Sequence, residues 1–336
     1  MMSSLKKVIV TGGLGYIGSH TVLDLFKNDF TPVIIDNLSN SSVKNLTGIN
    51  KILNSNIKWY NVDCTDKQAM SNVFENEPNI IGCIHFAAYK SVDESILNPG
   101  KYFKNNIGSL EVLLYCMKKY EIYNLIFSSS CTVYGFPDIL PVNEDAPFKK
   151  PESPYAETKQ ICEEMLIDSS ISCVSLRYFN PIGCHESSLI GDCSSDKPAN
   201  LLPIVAEVAN GVREKIIING NDYNTADGTC LRDYIHVEDL ASVHVKSFQF
   251  LFNNAIDNIV FNVGTGRPNS VLEIVNLFQK INSVNVNYSF GKRRAGDIEQ
   301  IYSNNDKVNK MLDWNPIRSL KDAIKSEWAW QLNKNL

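Results

Sequence analysis

Along the first 180 residues, short apolar β-branched runs alternate with longer stretches whose apolar positions recur every three or four residues. A continuous apolar run reads as a strand buried on both faces, and the longer period as a helix packed over it. Strands are predicted at 8–10, 31–36, 57–62, 80–88, 124–127 and 171–177. Helices are predicted from Tyr16, over 43–53, over 102–120 and from Ser153. Such alternation predicts an α/β fold with a doubly wound parallel sheet. After about residue 180 it weakens into a polar loop (184–200), a helix over 202–212 and short strands at 216–218 and 259–263. The expected division is a sheet domain over 1–180 and a smaller C-terminal α/β substrate lobe over 181–336, with a soft boundary and some elements returning to the first domain.

The first strand and helix are joined through Gly12, Gly15 and Gly18. The first two glycines let the chain turn sharply and bring backbone N–H groups against a pyrophosphate, and the third lets helix pack on strand. The helix N-terminus then faces the phosphates. The next strand ends in Asp36, at about the twenty-residue offset of a ribose-binding carboxylate. Its charge would repel a 2′-phosphate, and no cation follows before Lys44, so NAD is expected rather than NADP. Asp63 and Cys64 close the third strand, near the expected adenine. Ala87 and Ala88 leave room at the end of the fourth, directly before Lys90.

Composition narrows the class. With 336 residues, 44% hydrophobic and 21% charged, the chain reads as an ordinary globular protein, and a net charge of −5 offers no footprint for nucleic acid. Nine scattered cysteines without a Cys-x-x-Cys pair point to reduced thiols in a cytoplasmic protein, with no metal site. No apolar run approaches the length of a membrane span, and no signal peptide is expected.

The fifth strand runs into Ser128, Ser129 and Ser130, hydroxyls that suit a sugar better than a core. Tyr155 and Lys159 lie four apart, on one face of the helix opened by Ser153-Pro154. A phenol near pKa 10 becomes a base at neutral pH only if its pKa falls by about 3 units, roughly 4 kcal/mol. Lys159 and oxidised nicotinamide are the charges that could supply this, with Ser130 holding the reacting hydroxyl. The implied chemistry is proton removal from an alcohol coupled to hydride loss to NAD.

Thr11 to His20, Asp36-Asn37-Leu38, Ser128 to Gly135, Ser153-Pro154-Tyr155 and Arg177 to Pro181 resemble the extended short-chain dehydrogenase/reductase family. Gly220 to Tyr223, Asp227 to Val237 and Arg293 to Asp297 narrow the resemblance to the UDP-glucose 4-epimerases, over essentially the whole chain. The resemblance implies a Rossmann fold, tightly held NAD and reversible interconversion of UDP-glucose and UDP-galactose through a 4-keto sugar. Tyr155 would be the base, Ser130 its helper and Lys159 the group tuning the phenol. Alongside these three, the candidate cofactor set is Gly12, Gly15, Tyr16, Ile17, Gly18, Asp36, Asn37, Asn40, Ser41, Asp63, Cys64, Phe86, Ala87, Ala88, Lys90, Asn105 and Phe179. Asn180, Asn200, Leu201, Arg232, Arg294 and Asp297 would grip the UDP, with Ser130 and Tyr155 at the sugar. Ile301 would border the sugar 2-substituent, where a large Tyr excludes an N-acetyl group and a small Cys admits it. Related dehydratases carry an Asp-Glu pair just after the strand-end serine or threonine, where this chain reads Cys131-Thr132-Val133, so water elimination lacks its acid. Asn219 departs from an aromatic position common in epimerases. A homodimer is implied by resemblance alone. Another nucleotide-sugar epimerase or reductase, or a silent NAD-binding regulator, remains open, because fold does not fix function.

Overall fold

A computed structural model describes residues 6–194, 198, 200–254, 256–294 and 296–334. Ala295, inside one of the family stretches, lies outside them, as do parts of the 184–200 loop and of both termini. The strands in chain order are β1 (Lys7–Thr11), β2 (Thr31–Ile35), β3 (Lys58–Tyr60), β4 (Ile80–His85), β5 (Asn124–Ser130), β6 (Ser172–Tyr178) and β7 (Asn180–Ile182). They continue with β8 (Ile216–Asn219), β9 (Leu231–His236), β10 (Asn258–Val263), β11 (Pro268–Ser270), β12 (Tyr288–Gly291) and β13 (Gln300–Ile301).

Seven of them form one parallel sheet in the order β10-β6-β5-β4-β1-β2-β3. Each face is covered, which is why its strands read as unbroken apolar runs. On one side Val8, Val10, Ile34 and Ile126 pack with Val22 and Leu25 of helix Tyr16–Lys27 and with Phe248 of helix Val237–Asn253. On the other, Ile9, Val33 and Leu125 pack with Met70, Leu113 and Leu166 from three further helices. The chain runs outward from β1 to β3 and then crosses to β4 on the other side of β1. This reversal opens a crevice at the carboxyl ends of the strands, the usual place for a ligand.

The strand expected at 259–263 is β10, paired along β6, so the chain returns to the large sheet long after residue 180. The lobe is smaller: β9 pairs with β7, β11 and β13, while β8 pairs with β12. Its helices Leu201–Ala209, Val271–Asn282 and Leu320–Asn333 pack through Leu202, Ile274, Phe278 and Ile324.

Several boundaries differ from expectation. β4 stops at His85 instead of Ala88, and β5 continues through Ser130 because β6 pairs with it along its whole length. The helix predicted over 102–120 is three segments: Pro99–Tyr102, a π-helical turn at Phe103–Ile107, and Gly108–Lys119. Helices Lys67–Asn76, Val92–Leu97 and Val237–Asn253 were not predicted.

Candidate active site

A cavity of about 580 Å³ opens along the carboxyl ends of β1, β2, β4 and β5 and runs into the lobe. Every candidate residue of the sequence reading lines it. At the sheet end, Gly12 has φ +67°, and a Cβ there would lie 2.8 Å from the Ala87 nitrogen. A Cβ on Gly18 would lie 2.3 Å from the Gly12 carbonyl oxygen, so any side chain would push the helix off the turn. Helix Tyr16–Lys27 starts at Gly15 with no side chain capping its first N–H groups, which leaves donors for a phosphate at the cavity wall.

Asp36, directly after β2, accepts hydrogen bonds from the Leu14 N–H (3.0 Å), the Leu38 N–H (2.9 Å) and the Ser41 hydroxyl (2.7 Å). Two carboxylate oxygens offer about four acceptor positions, so one is left for a sugar hydroxyl. No cation of the 37–42 loop stands near it to meet a 2′-phosphate. Asp63 accepts from Asn37 (3.1 Å) and from the Thr65 N–H and hydroxyl. Burial pushes its carboxyl up, but these bonds hold it below the usual range. The uncapped helix, the glycine cradle and this acid fit NAD. The π turn at 103–107 widens the helix by one residue and brings Asn105 to the cavity, where it donates to Asn106 (3.1 Å).

The candidate catalytic residues gather where β5 ends. Ser130 accepts from the Thr132 N–H (3.3 Å) and hydroxyl (3.0 Å) as the chain turns into the short helix Cys131–Tyr134. Ser153 caps the next helix through the Ala156 N–H (3.2 Å), which places Tyr155 and Lys159 in its first turns. Burial pushes the Tyr155 phenol up to about 12, and a hydrogen bond with Ser130 pulls it back in part. Burial likewise takes Lys159 down to about 8. Lys159 donates to the Ser128 carbonyl oxygen at 2.6 Å. Among the protein's own groups, then, burial outweighs the lowering of Tyr155 expected from Lys159.

Behind Ser130 a buried network fixes the strand end. Arg177 donates twice to Glu163 (3.0 and 2.7 Å) and once to the Tyr134 hydroxyl (2.8 Å). Tyr134 donates to Asn262 (2.6 Å), and Ser129 donates to Glu163. Sequence reasoning missed Tyr178, which also lines the cavity and whose hydroxyl donates to His244. The His244 Nδ1–H is engaged by the Leu240 carbonyl (2.7 Å), and burial keeps the ring neutral, with a pKa of about 3. In the sequence Tyr178 stands only as the residue after the predicted 171–177 strand, and its partner is 66 residues away.

At the lobe end, Asn180 donates to the Asp233 carbonyl (3.1 Å), and Asn200 precedes helix Leu201–Ala209 without its side chain capping it. Arg232 is engaged with Asp297 at 2.5 Å. Arg294 reaches Asp93 at 3.8 Å, an acid the sequence reading did not single out. Lys90 meets Asp192 at 3.1 Å. Ile301 is buried against Phe179 and Cys131 on the cavity wall, while Tyr302 is not among the lining residues. Among the described residues, no group of three His, Cys, Asp or Glu could hold a metal ion.

A family profile described as GDP-mannose 4,6 dehydratase matches residues 9–326. The UDP-glucose 4-epimerase of Dictyostelium discoideum is 42% identical over 98% of this chain and 97% of its own length. That of Bacillus subtilis is 42% identical over 96% of each. A crystal structure of UDP-glucose 4-epimerase from Bifidobacterium longum in complex with NAD+ and UDP superposes with a TM-score of 0.94 at 40% identity, covering 98% of this chain and 99% of that one. Between the sheet crevice, the tyrosine–lysine helix and these full-length likenesses there is one consistent placement: the chain belongs to the extended short-chain dehydrogenase/reductase family, among the UDP-glucose 4-epimerases.

Proposed function

We propose that this chain is an NAD-dependent isomerase that reversibly interconverts UDP-glucose and UDP-galactose by epimerisation at C4. The observation that carries the reading is a single cavity joining a dinucleotide cradle (Gly12, Gly15, Gly18, Asp36), a Ser130–Tyr155–Lys159 cluster and the cationic lobe end with Arg232 and Arg294. When bound, NAD supplies a hydride acceptor that later becomes the donor, and a positive charge in its oxidised form. Asp36 and the uncapped helix hold it, with Lys159 and Asn105 on the same wall.

Ser130 fixes the sugar 4-hydroxyl and Tyr155 removes its proton, then returns one to the 4-oxygen once the 4-keto sugar has turned its opposite face to the hydride donor. Lys159 keeps positive charge one helical turn from the phenol and so favours phenolate. Arg232, Arg294, Asn180, Asn200 and Asp297 hold the UDP, while Leu201 packs beside it. Guanidinium groups suit phosphate oxygens in pairs. Cys131, Thr132 and Val133 offer no carboxyl for water elimination, which separates this reading from a dehydratase.

The proposal includes the division into an NAD-binding domain over 1–180 and a UDP-sugar lobe over 181–336, joined by the return of β10 to the large sheet. It also includes a cytoplasmic homodimer in galactose metabolism. Exposed Leu97, Tyr115 and Ile167 on helices along one side of the sheet support the dimer. Nine unpaired cysteines support a reducing compartment.

Two measurements test the reading. Purified protein given UDP-galactose, with no NAD added, should form UDP-glucose, and denatured protein should release NAD or NADH with little NADP. Absence of turnover with NAD present would overturn the activity, and released NADP would overturn the role of Asp36.

A further inference from the structure

Three of the four cations lining the cavity are engaged with a carboxylate: Lys90 with Asp192, Arg232 with Asp297 and Arg294 with Asp93. They differ in kind. Asp192 and Asp297 are 10% and 19% exposed and hold their partners at 3.1 and 2.5 Å. The Asp93 and Arg294 side chains are 62% and 47% exposed, and they meet at 3.8 Å through Nε, beyond hydrogen-bond distance. Such a pair is screened by water and contributes little to stability, so it can be broken at small cost. Both residues also line the cavity, Asp93 from helix Val92–Leu97 and Arg294 from the segment between β12 and β13. The pair therefore spans the rim between the sheet side and the lobe side.

We infer that Asp93 is an exchange partner for Arg294: an incoming diphosphate takes the guanidinium from Asp93, and the departing nucleotide sugar returns it. This rests on the reading of the ligand as a UDP-sugar. A diphosphate offers more charge and a two-pronged set of oxygens at hydrogen-bond distance, against the long 3.8 Å approach of Asp93. Water solvates the released carboxylate, so no buried charge is orphaned. Asp297 cannot act in the same way for Arg232, because its pair is short and shielded. Asp93 is thus a positioning residue that sets how tightly the nucleotide is held.

The test is a double-mutant cycle on NAD-loaded protein, with the dissociation constant of UDP measured by calorimetry and thermal melts run beside it to confirm folding. Asp93→Asn should tighten UDP binding by roughly two- to fivefold. Arg294→Ala should weaken it, and in that background Asp93→Asn should change the constant by less than about 1.5-fold. Equal tightening in both backgrounds would mean simple repulsion between Asp93 and the ligand, and no tightening would mean no competition. Either result overturns the exchange while leaving the epimerase reading standing. Wild-type protein that fails to bind UDP overturns both.

Discussion

The ammonium of Lys159 lies 5.9 Å from the centre of the Tyr155 ring and bonds to the Ser128 carbonyl oxygen at 2.6 Å. From there its charge reaches the phenol ring through space. Burial raises the phenol to about 12, so under the proposed mechanism a further positive charge is needed before it can act as a base. If Tyr155 is the base, binding of oxidised NAD and its activation would be coupled.

Tyr155→Phe keeps the ring and its packing and removes only the ionisable oxygen. Turnover should fall by about 10²–10⁴-fold, the usual contribution of a positioned acid–base group, with NAD still bound. Steady-state assays decide it: a variant within tenfold of wild type would remove Tyr155 from the base role.

Lys159→Met should trade activity for stability. The folded pKa, about 8, is below the unfolded value of about 10.4, so the unfolded chain binds more protons between those limits. Stability of the wild type therefore rises with pH across that window, and below about pH 8 the full cost of burying the charge is present. The variant should be more stable at pH 7 by about 1–3 kcal/mol, after allowing for the lost bond to Ser128. This gain should shrink toward pH 10. Denaturant titrations at both pH values would show it, and a variant less stable at pH 7 would contradict the direction.

Ile301 packs on the cavity wall beside Arg232, its register partner on β9. Branched at Cβ and stiff, it cannot fold away from an added acetamide. UDP-glucose and UDP-galactose should be strongly preferred over their N-acetylated forms. Ile301→Ala should raise kcat/KM for UDP-N-acetylgalactosamine by about tenfold and leave UDP-galactose nearly unchanged. An unaltered ratio between the two substrates would take Ile301 out of the sugar site.

Glu163→Ala should be among the most damaging changes outside the reacting groups. It leaves the buried Arg177 guanidinium without its two carboxylate bonds and releases Ser129. The expected cost is about 3–5 kcal/mol. Because Ser129 adjoins Ser130, turnover of the protein that still folds should fall as well. Chemical denaturation and kcat measured on the same preparation test both parts.

The glycine turn, Asp36, the strand-end serines and the Tyr155/Lys159 pair were legible because each depends on local rules: turn geometry, strand period and helical spacing. Arg177 with Glu163, and Tyr178 with His244, were not, since neither pairing follows from sequence separation. The split helix at 99–119 shows the same limit, as a π turn leaves the apolar period almost unchanged. Asp93 carries no signal in the sequence; the structure puts it in the first turn of helix Val92–Leu97, and only the position of Arg294 gives it a further meaning. The direction of the Tyr155 shift was also beyond reach, because it depends on how completely the ring is buried.

The return of the chain to β10 bears on how the molecule comes apart. A fragment ending near residue 180 would keep the glycine cradle and Tyr155, yet it would lack the edge strand beside β6 and the Val237–Asn253 helix that covers Val8 and Val10. Its sheet would present an unpaired edge and an uncovered apolar face to water. Neither half, then, is a separable module. Chain synthesis must pass residue 263 before the first sheet is complete, and denaturation should proceed as one cooperative transition.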